Sequence, residues 1–252
     1  MNSNGIVSAF VKMFASRRTL PLWLMMLAAS FAALVGLSEP FEAEGNPMPE
    51  SAQIQAPEET NDMVPSPATP EPGAALTPEQ RQILDAYGWD GRVGGASGVW
   101  VSIKEQMFRL IENRQVIWTA PCSTAAKGPG SKLNSFKTPL GWHSIAEKIG
   151  GGAPWGQIFR EKKPAKDVWR RGDATPEDLL LTRILTLNGE EPGKNKDGDV
   201  DSCLRGIYVH GTNDEEHIGQ PASHGCVRLT NDDAILAYDK ISIGTFLLIT
   251  EE

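Results

Sequence analysis

The chain has 252 residues, a formal net charge of −8 and 40% hydrophobic residues. That suffices for one well-buried domain with appendages, and two full domains would be crowded. Setting aside the three basic residues before position 39 and the eight acidic residues of 39–78 leaves 21 basic and 24 acidic residues in 79–252, which argues against a nucleic-acid partner, whose surface would be basic and clustered.

Lys12, Arg17 and Arg18 form a positive flank before an uncharged apolar run from Leu20 to Leu37. This order is that of an export signal or signal anchor over 1–38. The run exceeds the usual signal-peptide core of ~7–15 residues and approaches the ~18–20 that span a bilayer. No A-x-A site follows it; Gly36-Leu37-Ser38 is the nearest small-x-small candidate. An uncleaved anchor is favoured over a cleaved signal peptide, and in both cases the remainder is exported. Residues 39–78 hold 9 of the 18 prolines and no Lys or Arg, the composition of a disordered, self-repelling tether.

Thr77-Pro78-Glu79-Gln80 reads as a capping box with proline at the first helical position, opening a short helix and lead-in over 79–97. Ile83, Leu84 and Tyr87 give it an apolar stripe, and Gly88 ends it. Strand signals then dominate: "GVWVSIK", "QMFRLI" and "QVIWTAP", with Glu112-Asn113-Arg114 as a hairpin turn between the last two. "TPLGWHSI", "LLLTRILTL", "GIYVHG" and "GTFLLIT" complete the β set. A helix near the end is expected to be capped by Asn231, with Asp232 and Asp233 in its first turn and Ala234, Ile235 and Tyr238 facing inward. The expected fold is a mostly β domain over 98–250, a β-sandwich or half-open barrel with a few short helices.

Two loops are expected to interrupt it. Gly150–Asp178 carries Trp155, Trp169 and, from Arg160 to Arg171, six basic against two acidic residues; a solvated loop is favoured over a lid. Glu190–Ser202 contains "DGDVD", but Ser202 stands where a calcium loop needs glycine and Tyr208 where it needs its last glutamate, so calcium is rejected.

There are three cysteines, Cys122, Cys203 and Cys226. An odd count in an exported chain leaves at least one thiol unpaired; Cys122 and Cys203 are the pair to consider for a disulfide. Cys226 stands in a Gly-flanked polar turn. A free thiol is only a few per cent thiolate at neutral pH, so a nucleophilic cysteine needs a base. His210 closes a strand, which would hold it rigidly, with room left by Gly211. Gly225 would let a substrate approach the backbone, with nearby N–H groups for an oxyanion. On an extended backbone His224, Cys226 and Arg228 would share one face, and Arg228 would hold a substrate carboxylate. A structural salt bridge from Arg228, to Asp232 or Asp233, is nearly as strong a reading. A core cysteine with incidental histidines also stays open on these residues alone.

The stretch "HGTNDEEHIGQPASHGCVRL", His210 to Leu229, resembles the signature of the L,D-transpeptidase catalytic (YkuD-type) domain: a histidine, a spacer, then Ser/Thr-His-Gly-Cys. The similarity extends upstream to "STAAKGPGSKLNSFKTPLGWHSI" and "TRILTLNGEEPG" and downstream to "GTFLLIT", though the spacer between His210 and Ser223 is somewhat short. The resemblance implies acyl transfer on peptidoglycan stem peptides. Cys226, deprotonated by His210, would attack the L-centre carbonyl of diaminopimelate, release D-Ala and leave a thioester that a neighbouring amine resolves. It implies a backbone carbonyl near Gly211 as orienter of His210, and oxyanion donors around Gly225. Ser223, His224, Arg228, Tyr208 and Trp142 are candidate substrate contacts. No metal or organic cofactor is implied. A monomer is expected, periplasmic, anchored in the inner membrane or secreted.

Three other readings compete. Hydrolysis at the same site would make an L,D-carboxypeptidase. A zinc site from His210, His217, His224 and Cys226 has acceptable ligand types but no recognised spacing. A non-catalytic wall-binding module would make Cys226 dispensable.

Overall fold

The computed structural model describes residues 74–252. The expected anchor and the tether up to residue 73 lie outside the described residues. The last residues assigned to the tether are structured instead: Ala74–Ala75 form strand β1, and Leu76 is buried beside the first helix. Leu76 joins an apolar cluster with Leu84, Trp89 and Val116.

Helix α1 (Pro78–Ala86) starts as its sequence dictates. Thr77 Oγ1 accepts from the Gln80 amide and Gln80 returns a bond to the Thr77 amide, so two orphan donors are satisfied together. Gly88 takes the left-handed conformation, φ +68°, that lets the chain reverse into α2 (Trp89–Val93).

The strands are β2 (Ser97–Ser102), β3 (Met107–Glu112), β4 (Gln115–Pro121), β5 (Gly141–Ile149), β6 (Gln157–Arg160), β7 (Lys163–Val168), β8 (Leu180–Gly189), β9 (Tyr208–Gly211), β10 (Val227–Leu229) and β11 (Phe246–Thr250). They form one mixed sheet in the order β1-β4-β3-β2-β11-β5-β8-β6-β7, with β9 pairing to β8 and β10 to β9. Two pairings are parallel, β11 with β2 and β10 with β9. The two-residue turn between β3 and β4 places Asn113 and Arg114 both at positive φ, the geometry that suits strand twist.

The central strands are buried on both faces, which is why they read as apolar runs and not as alternation. Val99, Val101, Leu247 and Ile249 join Val209, Val227, Leu229 and the α3 (Asn231–Lys240) residues Ala234 and Ala237 in the main core. Trp100, Leu248 and Trp142 point the other way, into a second cluster closed by α1 and α2. One sheet therefore supplies both walls of the main core.

Two expectations need correction, and one open question is answered. Gly150–Asp178 contains the β6–β7 hairpin: β7 is exposed along almost its whole length, so no burial pattern marked it. Thr230, not Asn231, caps α3, its hydroxyl accepting from the Asp233 amide, because the buried Asn231 side chain is used elsewhere. The pairing of Cys122 with Cys203 that the sequence left open does not form: all three cysteines are free, with Cys122 buried and Cys203 exposed.

His143 is sealed beneath β5, its Nδ1 3.0 Å from the Gly141 carbonyl and Nε2 3.0 Å from the Ser202 hydroxyl. Burial pushes it down to about 4, and the same holds for His210. The unfolded chain therefore takes up these protons first as pH falls. Stability should be lost between about pH 6.5 and 4, by roughly 3 kcal/mol per histidine. Thermal melts across that window should show the fall, and His143→Gln should flatten part of it; a melting temperature constant from pH 7 to 4 would contradict it.

Candidate active site

Strand register assembles the site. In the β9–β10 ladder Val227 faces Val209 and Arg228 faces His210. Val209, Val227 and Leu229 point into the main core, so by strand alternation Tyr208, His210 and Arg228 occupy the opposite face. Cys226 sits at the entry to β10.

The turn carrying Cys226 is tightly built. Gly225 has φ +131°, and a Cβ there would lie 3.2 Å from both Ile207 Cδ1 and the Lys137 carbonyl oxygen, so glycine is required. The buried Ser223 hydroxyl accepts from the Gly225 amide (3.1 Å) and donates to the Cys226 carbonyl (2.6 Å). Thr138 Oγ1 donates to the Gly225 carbonyl at 3.0 Å. Ser223 thus holds the turn together and is not a free substrate contact. It also occupies the Gly225 N–H that was expected to serve the oxyanion. This turn is bent, so His224 and Cys226 do not alternate along a strand.

The half-buried Cys226 thiol accepts from the Tyr208 amide and donates to the Gly206 carbonyl, both at 3.4 Å. Burial pushes it up to about 11. The Tyr208 N–H and the charges of Arg228 and Arg205 pull against that rise, while Asp178 adds to it. His210 is buried with Nδ1 2.8 Å from the Gly211 carbonyl oxygen. A carbonyl only accepts, so Nδ1 carries the hydrogen and Nε2 is left as the acceptor. At neutral pH the site rests as neutral thiol and neutral imidazole. The two are not hydrogen-bonded to each other.

Gly211 is needed for a different reason. A Cβ there would lie 2.5 Å from Asn231 Oδ1 and 2.9 Å from the Leu181 carbonyl oxygen. Asn231 in turn donates to the Thr212 carbonyl and Glu215 and accepts from Thr182, so it fixes the backbone just after the histidine's partner and ties it to β8.

Arg228 is not available for a substrate carboxylate. It is almost fully buried and pairs with Asp178 and, at 2.9 Å, with Asp214. The salt-bridge alternative holds, but with these two acids and not with Asp232 or Asp233. Asp178 also accepts from His224 Nδ1 at 3.0 Å. Burial works to raise the Asp178 carboxyl, yet the His224 and Arg228 contacts hold it below the usual range. His224 is exposed, its ring edge-on to Phe136 at 5.9 Å. Tyr208 is half-buried beside Cys226. Trp142 is on the wrong face: it packs on Trp89 and Phe246 and donates to the Tyr87 carbonyl.

The four residues considered for zinc do not converge. His210 is held by Gly211, His217 by Asp214 and His224 by Asp178. Sequence reasoning missed Asp178, Asp214, Thr138, Asn231 and Arg205. Their roles depend on contacts across long sequence separations, and no local pattern marks them.

Residues 96–249 match the sequence model of the L,D-transpeptidase catalytic domain, and the chain belongs to that family. It is 43% identical over 95 residues to a Bacillus subtilis protein named "Putative L,D-transpeptidase YqjB", covering 32% of this chain and 54% of that protein. Over 122 residues it is 43% identical to the Escherichia coli protein named "Probable L,D-transpeptidase YbiS", covering 46% of this chain and 34% of that one. The chain thus spans about half or less of the curated relatives it matches. Among solved structures, an L,D-transpeptidase from Xylanimonas cellulosilytica is 20% identical with TM-score 0.38, covering 69% of this chain and 71% of that one. Bd1075 of Bdellovibrio bacteriovorus is 18% identical with TM-score 0.41, covering 62% and 48%.

Two outcomes test this geometry. Arg228→Ala leaves two part-buried carboxylates uncompensated and should cost about 3–5 kcal/mol in urea unfolding; loss of activity without loss of stability would return Arg228 to the substrate. Alkylation of Cys226 by iodoacetamide should climb steadily as pH rises through 8 to 10. A plateau between pH 5 and 8 would reveal a preformed thiolate.

Proposed function

We propose that the protein is a peptidoglycan L,D-transpeptidase working through a Cys226 thioester. The observation that carries this reading is the placement of Cys226 beside β9, whose His210 has its Nδ1–H committed to the Gly211 carbonyl. Only Nε2 is left to take a proton, and a neutral imidazole at neutral pH can take one.

In the proposed reaction Cys226 turns away from the Gly206 carbonyl and attacks the carbonyl carbon at the L-centre of diaminopimelate in a donor tetrapeptide. The thiol proton passes to His210 Nε2 as the C–S bond forms, because a thiol raised to about 11 does not ionise beforehand. The Cys226 N–H supports the oxyanion, since the Gly225 N–H is held by Ser223. The imidazolium then protonates the departing D-Ala amine. An amine of a second stem attacks the thioester, giving up its proton to the His210 site, and the thiol is restored. Water in place of that amine gives the carboxypeptidase outcome through the same groups. The chain's N-terminal segment is proposed to deliver the domain across the inner membrane to the periplasm, as an anchor or a signal peptide.

Incubation with tetrapeptide muropeptides, read by mass spectrometry, tests the reading. Cross-linked dimers are expected; trimmed monomers alone would establish the hydrolytic alternative. Cys226→Ala should abolish both products with the fold intact, and product formed by this variant would sink the thioester. His210→Gln should slow acylation by at least a hundredfold at pH 7, with partial recovery at alkaline pH where the thiolate forms unaided. An unaltered pH–rate profile would remove His210 as the base.

A further inference from the structure

Arg205 is a cation beside the nucleophile with no anionic partner among the described residues. It lies in the turn before β9, half-buried. Its guanidinium donates to the Gly130 carbonyl (3.3 Å), the Ser135 hydroxyl (3.4 Å) and the Lys137 carbonyl (2.6 Å). All three acceptors are neutral. Among the described residues it makes no salt bridge, whereas the deeper Arg228 has two carboxylates.

Backbone contacts place Arg205 at the flank of Cys226. Its shortest partner, the Lys137 carbonyl oxygen, lies 3.2 Å from the position a Cβ on Gly225 would take. The next residue, Gly206, supplies the carbonyl that accepts from the Cys226 thiol. Burial draws the Arg205 guanidinium down, and Cys226, once ionised, opposes that shift. A partly desolvated guanidinium is costly without a counter-ion, and its planar fork fits a carboxylate. The described residues supply none here, so the anion is expected to come from outside.

We propose that Arg205 binds the terminal carboxylate of the residue that leaves from the donor stem, and so restricts attack to the last peptide bond of that stem. This rests on the acyl-transfer reading above. The carboxylate takes no part in bond making; it fixes the leaving residue so that the preceding carbonyl lies over the Cys226 sulfur. A stem prolonged by one more residue, or amidated at its end, carries no anion at that position.

Two measurements on the full chain separate this assignment from the function beneath it. The first needs no turnover. Cys226 is alkylated with iodoacetate or iodoacetamide, the sulfur displacing iodide in each, and the Cys226 peptide is quantified against free cysteine as reference. Arg205→Gln should lower the iodoacetate-to-iodoacetamide rate ratio about tenfold, the scale of one charge-assisted hydrogen bond, and Arg205→Lys should fall between. Equal ratios in wild type and Arg205→Gln, or both rates falling together because the 130–137 loop has lost its pin, would overturn the proposal.

The second compares a tetrapeptide stem with the same stem amidated at its C-terminus. Wild type should favour the free acid at least tenfold in kcat/KM, and Arg205→Gln should abolish that preference. A preference that survives Arg205→Gln overturns the Arg205 assignment alone. Wild-type protein that processes neither stem, while keeping its iodoacetate preference, overturns the acyl-transfer function together with the leaving-residue assignment.

Discussion

The parallel pairing of β9 with β10 is the constraint on which the site depends. Only three residues of β10 take part, yet two of them, Val227 and Leu229, are fully buried in the main core with Val209 opposite Val227. Burial of such side chains stabilises by roughly 1.5–3 kcal/mol each. Because side chains alternate, the packing that seals those positions turns His210 and Arg228 to the other face. A slip of one residue would exchange the two sets and bury the polar groups in the core. Core and chemistry are therefore specified by one register.

The electrostatics around the thiol follow from unequal burial of charge. Arg228 is deep, and a cation there is tolerable only because Asp178 and Asp214 reach it from two separate loops. Asp178 also holds His224, so one carboxylate links the exposed rim to the buried centre. The net field at sulfur is mixed, and burial dominates it. Such a thiol stays largely protonated at neutral pH. That slows oxidation of Cys226, which proceeds through the thiolate.

Much of this was legible from local sequence. The capping box at Thr77 and the turn at Asn113-Arg114 are short-range devices whose residues state their own geometry. A cysteine in a glycine turn and a histidine at a strand end singled out Cys226 and His210, but those settings alone left a core cysteine equally open, and the orienting role near Gly211 came from the family resemblance. The side chains around them were harder. Trp142 and His143 are neighbours on β5 that face opposite ways into buried surroundings, and an apolar run covered on both faces does not say which side is which. Arg228 announced a partner but not its identity, since Asp178 and Asp214 lie 50 and 14 residues away. The β6–β7 hairpin was invisible because its outer strand is nearly all exposed and gains its order from pairing alone.

That outer strand ends the sheet. Among the described residues β7 has β6 on one side and no strand on the other, so its free edge is a template on which a second copy could add itself. Lys163, Pro164 and Lys166 lie along it. Proline has no amide hydrogen to offer an incoming strand, and two lysines of one copy would meet those of the next. Such an edge resists the sheet-to-sheet pairing that would otherwise zip crowded copies into ribbons.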